Sequence, residues 1–224
     1  MASFVPFCFG FQIGSFIFAI MTDNDYSPYL NRNDAVDVNV PRTLPHWNQS
    51  DKIQFVTFRL ADSLPRTFVM ALKRERSDFE RLNPRPWNPD TAKRFRSLMS
   101  WKVEEMLDNG YGECLLRDST VRKYVSETLR FYDGRLYELL SYVIMPNHVH
   151  MLVRVTGDNR LADIVRNIKG YSAKIINNCL HRQGPLWMKE YHDRIIRNED
   201  HLKNCLRYIR SNPRFLPATD YELK

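Results

Sequence analysis

Within the run VIMPNHVHMLV, His148 and His150 are separated by the single residue Val149. The run reads as a β-strand, in which alternate side chains share a face, so both imidazoles point one way and Val149 the other. Two neutral imidazoles on one face supply nitrogen ligands for a divalent ion, and a third ligand has to come from another element. Towards the other end of the chain, CLRYIRSNP sets Tyr208 and Asn212 four residues apart, on one helical face, with a phenolic oxygen and an amide oxygen. A phosphate held by such a metal beside Tyr208 would be polarised for in-line attack by the phenolate, conserving the phosphodiester energy as a covalent tyrosyl ester. Spacing alone leaves plainer alternatives open: one histidine in the core and one at the surface, and Tyr208 as a core aromatic at helical period.

These residues need a scaffold to hold them. KIQFVTFRL (Lys52 to Leu60) is rich in β-branched and aromatic residues and reads as a first strand, followed by the helix-start signal of Asp62, Ser63 and Pro65. Three helices are expected next, over about Pro65 to Leu82, over Pro89 to Asn109 with Asn88 as cap and Gly110 as stop, and over Ser119 to Phe131. RLYELLSYVIM and HVHMLVRV read as two strands turned at Pro146-Asn147, an antiparallel hairpin at the centre of the sheet. Leu161 to Leu180 has helical apolar spacing, LWMKEYHDRIIR is extended, and Glu199 to Ser211 is a last amphipathic helix closed by Asn212-Pro213. The mixture describes an α+β protein with an antiparallel sheet and helices mainly on one face.

The chain has 224 residues, enough for one domain with appendages, and its 43% hydrophobic residues, 8 glycines and 12 prolines exclude collagen-like and broadly disordered classes. Cys8, Cys114, Cys179 and Cys205 are scattered with no C-x-x-C pair, which fits a reducing cytoplasm and neither a zinc knuckle nor a disulfide framework. A formal charge of +7 favours a polyanionic partner. From Lys169 to Arg214 there are ten Lys and Arg against four Asp and Glu, interleaved with aromatics, as a groove for a single strand requires. Lys169, Lys174, Arg194, Arg197, Arg207 and Arg210 are the candidate phosphate contacts, with Trp187 and Tyr191 as aromatic ones. A solvated basic face is the alternative.

Across about Leu44 to Pro213 the sequence resembles the REP-associated tyrosine transposases, a branch of the single-tyrosine HUH transposases. LPHW, FVTFRLADSLP, GYGECLL, VIMPNHVHMLV, KGYSAKIIN, GPLWMKEYHDRIIRNEDHL and RYIRSNP occur in family order. The resemblance implies a ferredoxin-like sheet, His148 and His150 as the HUH histidines, Tyr208 as nucleophile and Asn212 as the residue completing a Mg²⁺ or Mn²⁺ site. It implies nicking and strand transfer of single-stranded DNA at hairpin, palindromic sequences through a 5′-phosphotyrosine. No nucleotide cofactor is expected, since no G-x-x-x-x-G-K-[ST] occurs. No stable membrane association is expected either, and the protein would act as a monomer or homodimer. Tyr171, with Ile175 at i+4, ranks second as nucleophile, and Tyr124 and Tyr191 are further rivals. Three helices after the first strand exceed what a minimal HUH fold needs. Two other classes compete: a non-catalytic protein binding hairpin DNA or RNA, and a metal-dependent hydrolase that uses water.

The domain is expected over residues 47–214, after an apolar and disordered leader of residues 1–46 and before a short tail of residues 215–224. Phe4 to Met21 is an almost uncharged apolar run without the basic flank of a signal peptide, because no Lys or Arg precedes Arg32. Exposed, it would be an aggregation-prone patch, which points to Met21 as the natural start. A chain starting at Met21 is expected to be soluble, folded and as active as the full length. Mass spectrometry of the native protein should find its N-terminus at or just after Met21, and Phe4 to Phe18 peptides in the soluble protein would overturn this.

Overall fold

The computed structural model describes residues 27–31, 37–39 and 46–224. In chain order the strands and helices are β1 (Asp37–Asn39), β2 (His46–Asn48), β3 (Ile53–Arg59), α1 (Arg66–Leu82), α2 (Pro89–Asp108), α3 (Ser119–Tyr132), β4 (Tyr137–Ile144), β5 (His148–Val155), α4 (Leu161–Cys179), β6 (His192–Ile195), α5 (Glu199–Ser211) and β7 (Glu222–Leu223). The main sheet has the order β6-β3-β5-β4-β7, with every pair antiparallel. From β3 onward, and without the inserted α1 and α2 and the closing α5 and β7, this is the βαββαβ arrangement of a ferredoxin-like fold.

Local chemistry sets the element ends. Asn88 Oδ1 accepts from the Thr91 amide at 2.8 Å, and Pro89, which has no amide proton to lose, opens α2. Asp118 Oδ1 caps α3 through the amides of Thr120 and Val121, and Asn198 Oδ1 caps α5 through that of His201. The turn between β4 and β5 closes with the Met145 amide on the His148 carbonyl at 2.8 Å.

Alternation along the strands separates two cores. Val56, Phe58, Val149, Met151 and Val153 face α3 and α4, meeting Val125, Leu129, Ile164 and Ile168 in the main core. Ile53, Phe55, Val143 and Leu152 face the other way, against Leu202, Cys205 and Ile209 of α5. Helices therefore cover both faces, two on the main-core side and α5 on the other. The expectation of helices mainly on one face is refined in the respect that matters most, because α5 stands on the side of His148 and His150.

The inserted helices form a hairpin whose far end is an aromatic cluster of Phe79, Trp87 and Phe95, with ring centroids 4.8–5.5 Å apart. No residue of α1 is buried, whereas Leu107 near the end of α2 is, so this hairpin joins the domain chiefly at its root.

Two expected boundaries are corrected. Residues 27–31, counted with the leader, are bound to the domain: the Ile53 amide donates to the Pro28 carbonyl, the Leu30 amide to the Ile196 carbonyl, and Tyr29 packs on the second core. Leader residues 37–39 also pair with residues 46–48. The rest of that leader, including the apolar run and Met21, lies outside the described residues. The expected tail supplies β7, because Glu222 accepts from the Tyr142 hydroxyl and pairs with Arg130, while the buried Arg122 donates to the Thr219 carbonyl.

The GYGECLL turn locks to the end of β3. The Glu113 amide donates to Asp62 Oδ2 at 2.7 Å, and Gly112 has φ +91° with Asp62 so near that an added Cβ would lie 2.8 Å from Oδ2 and 2.9 Å from the Asp62 carbonyl oxygen. G112A should therefore destabilise the domain by roughly 1–3 kcal/mol, from left-handed strain and loss of this lock. Urea unfolding would measure it, and a midpoint equal to wild type would contradict it.

Candidate functional site

The site is built on β5. His148 and His150 are 1% and 0% exposed, on the face that meets α5, and their Nε2 atoms are 3.0 Å apart. Each ring is held from behind through Nδ1. Asn147 Nδ2 donates to the carbonyls of Tyr111 (3.0 Å) and Leu107 (3.3 Å), which leaves Asn147 Oδ1 to accept from His148 Nδ1 at 2.7 Å. That network assigns the proton of His148 to Nδ1 and the lone pair to Nε2. His150 Nδ1 lies 2.7 Å from Thr57 Oγ1 across the β3–β5 pairing. A hydroxyl donates or accepts, so Thr57 serves either tautomer of His150.

Burial depresses the basicity of both rings. His148 is lowered to about 3 by desolvation, and His150 well below the ordinary imidazole range by desolvation and then by the neighbouring His148, Arg194 and His192. Both are neutral, as ligands must be.

From α5, Tyr208 is half-buried, edge-on to Phe55 and His150, with its hydroxyl 3.4 Å from His150 Nε2. Asn212 continues the helical backbone at the C-cap, its amide donating to the Tyr208 carbonyl at 2.9 Å, which places both side chains on one face. Asn212 Nδ2 donates to Asp108 Oδ1 at 3.3 Å, and its Oδ1 is buried with no hydrogen-bond partner among the described residues. Burial, followed by the carboxylates Glu104 and Asp108, raises the Tyr208 pKa, while Arg194 and the Asn212 amide oppose them.

These groups fit a divalent cation. Metal–nitrogen bonds of about 2.1 Å meeting at a right angle put two nitrogens about 3.0 Å apart, the separation of the two Nε2 atoms. The partnerless Asn212 Oδ1 is the type of oxygen that completes such a set. Among the described residues no three His, Cys, Asp or Glu side chains are grouped to hold a metal.

The remaining candidates divide by position. Arg194 reaches the site, with its guanidinium 4.8 Å from the Phe55 ring centre and 3.7 Å from Glu104. Lys169 is half-buried on α4, bonded to the Lys189 carbonyl, and lowered to about 8 by desolvation. Lys174, Arg197, Arg207 and Arg210 are exposed. Trp187 is corrected: it is a core residue, edge-on to Phe58 at 4.9 Å and donating from Nε1 to Ser172 Oγ, so its ring is not open to a base. Tyr191 packs half-buried against the main core. Tyr171 is exposed on α4, across the sheet from the histidines, and Tyr124 lies between α3 and α4 beside Cys179.

Sequence reasoning missed Thr57, Asn147, Glu104, Asp108 and Arg59. Arg59 pairs in register with His148 and shares its face. Desolvation lowers its pKa, its hydrogen bonds go to Ser63 and the Leu60 carbonyl, and among the described residues no carboxylate pairs with it. Alternation in FVTFR carried the signal for Thr57 and Arg59, which stand two residues apart as His148 and His150 do.

Two buried imidazoles, a phenol and a free amide oxygen on one face of a ferredoxin-like sheet suit phosphate-transfer chemistry. Residues 113–212, somewhat under half of the chain, match the family model described as "Transposase IS200 like", so that span is similar to the IS200-like transposases. The solved structures that resemble it include a REP-associated tyrosine transposase bound to a REP hairpin, at 14% identity over 77% of this chain and 72% of that one with a TM-score of 0.43. Another is a chain from Deinococcus radiodurans R1 described as an inferred transposase, at 16% identity over 74% and 93% with a TM-score of 0.31. No curated protein matches the chain. Among the described residues no helix is long and apolar enough to cross a membrane.

The two depressed histidines set an acid limit. An unfolded histidine takes up its proton near pH 6.5 and a folded one here only far lower, so stability is full above about 6.5 and falls as the pH drops towards about 3. Each histidine contributes a slope of up to about 1.4 kcal/mol per pH unit in that window. Urea midpoints of the cation-free protein at pH 7.5 and 5 should differ accordingly, and equal midpoints would refute neutral burial.

Proposed function

We propose that this protein nicks and rejoins single-stranded DNA beside a hairpin, with Tyr208 as nucleophile. The observation that carries the reading is the approach of the Tyr208 hydroxyl to within 3.4 Å of His150 Nε2, itself 3.0 Å from His148 Nε2, all within one chain. The hairpin substrate comes from the motif resemblance to the REP-associated branch.

In the reaction the Tyr208 hydroxyl gives up its proton to solvent, a bond forms between its oxygen and phosphorus, and the bond from phosphorus to the 3′ oxygen breaks. The leaving oxygen takes up a proton to become a 3′ hydroxyl, and the 5′ phosphate stays on Tyr208. Attack by a 3′ hydroxyl on the tyrosyl ester reverses these steps, so no nucleotide hydrolysis is required. His148, His150 and Asn212 would hold Mg²⁺ or Mn²⁺, which polarises the scissile phosphate and stabilises the charge developing on it. Arg194 opposes the two carboxylates that keep Tyr208 protonated, and the stacked Phe55 and His150 rings fix the phenol's approach. A non-catalytic hairpin-binding protein would need none of this arrangement.

Incubation with hairpin-bearing single-stranded DNA and Mn²⁺ should give a covalent protein–DNA adduct on a denaturing gel. Y208F should lose the adduct completely while binding the hairpin nearly as well as wild type, and Y171F should retain it. H148A and H150A should each lose cleavage and bind Mn²⁺ more weakly. Adduct formation by Y208F, or wild-type cleavage in excess EDTA, would overturn the assignment.

A further inference from the structure

The root of the inserted hairpin touches the candidate site at two points. Leu107 and Asp108 are adjacent at the end of α2, outside the segment that matches the transposase family. The Leu107 carbonyl, with that of Tyr111, accepts from Asn147 Nδ2 and thereby turns Asn147 Oδ1 onto His148. Asp108 Oδ1 accepts from Asn212 Nδ2. One amide thus supports a histidine ligand, and the other belongs to the residue that would supply the third ligand.

An amide offers two ends of similar shape and opposite hydrogen-bonding character. With nothing to hold it, the Asn212 side chain would turn its amino group as readily as its oxygen towards a cation, and an amino group is no ligand. A carboxylate is an acceptor only, so Asp108 selects the nitrogen and reserves the oxygen. The consequence is visible in Asn212 Oδ1, which is buried and without a hydrogen-bond partner among the described residues. A polar atom left so is costly unless something else uses it.

We propose that Asp108 is a positioning residue of the cation site, holding the Asn212 amide by its nitrogen so that Oδ1 is the atom presented for coordination. The inserted hairpin is then a working part of the site, supporting a proposed ligand on each of two elements, β5 and α5. Ligands held by oriented partners typically lose about 10–100-fold in metal affinity when the partner is removed. This inference rests on the proposed reading of His148, His150 and Asn212.

The test is Mn²⁺ binding to the full chain without DNA, read from the electron paramagnetic resonance of free Mn²⁺. D108A and the similarly sized D108L remove the acceptor and should weaken binding by about 10–100-fold. D108N keeps an acceptor oxygen in the same place and should bind close to wild type. N212A should be weakened as well. Circular dichroism selects the folded variants, and either D108A or D108L suffices. Weak binding by N212A with unchanged binding by the Asp108 variants would overturn the positioning role and leave the proposed function standing. Equal loss in D108N and D108A would overturn it too, by showing that the charge matters and not the orientation. Unchanged binding by N212A would sink the site reading and this inference together.

Discussion

Everything at this site follows from two imidazole edges held 3.0 Å apart inside the protein. Two lone pairs at that distance repel, and water is not present in bulk to screen them, so the arrangement requires a proton or a cation between the rings. His148 is fixed by Asn147 in the tautomer that keeps its Nε2 lone pair. In the cation-free protein the bridging proton therefore belongs to His150, whose Nδ1 then accepts from the Thr57 hydroxyl. On the proposed reading, a cation would replace that proton, and the Thr57 hydroxyl, free to turn, would then accept from Nδ1 instead. One rigid partner and one adaptable partner give a pair that tolerates both states without moving the backbone.

The sheet register is what makes this arrangement available. Thr57 lies opposite His150, and Arg59 opposite His148. A slip of one residue in β5 would send both histidines into the main core and bring Val149 and Met151 to the face of α5. The burial of alternating apolar side chains in two cores forbids that slip, so the stability of the fold and the aim of the two histidines share one cause. The same two-sided burial explains why β3 has hardly an exposed position and lacks the polar alternation of a half-solvated strand.

Much of this was legible in the sequence, and the boundary of legibility is physical. The helix beginning at Pro89 was readable because caps and stops are local, requiring only Asn88 and Gly110 near their own backbone, whereas the caps Asp118 and Asn198 of the helices beginning at Ser119 and Glu199 went unread. The spacing of His148, His150, Tyr208 and Asn212 was readable because strand and helix periods fix shared faces. Asn147 and Asp108 were not, since their importance lies in partners 36 to 104 residues away. Trp187 misled for the complementary reason: in a basic stretch an indole resembles a stacking platform, and only Phe58 and Ser172 reveal it as core. The short segments at 27–31 and 222–223 carry too little pattern to announce that they complete the domain.

If Tyr208 is the nucleophile, as proposed, the charges around it decide when its oxygen can react. Burial and the carboxylates Glu104 and Asp108 favour the protonated phenol in the free protein. Glu104 is itself raised by desolvation and countered by Arg194, and Asp108 is raised by desolvation and countered by Asn212. The acids are thus spent on positioning partners and do not stand as free charges in the path of a phosphate. Positive charge near the phenol shifts the balance towards phenolate. On the proposed reading, that charge arrives with the cation. On that reading the phenol is activated as the cation binds beside it, and the acidic end of α2 serves both to restrain Tyr208 and to hold the Asn212 side chain that would help to bind the cation.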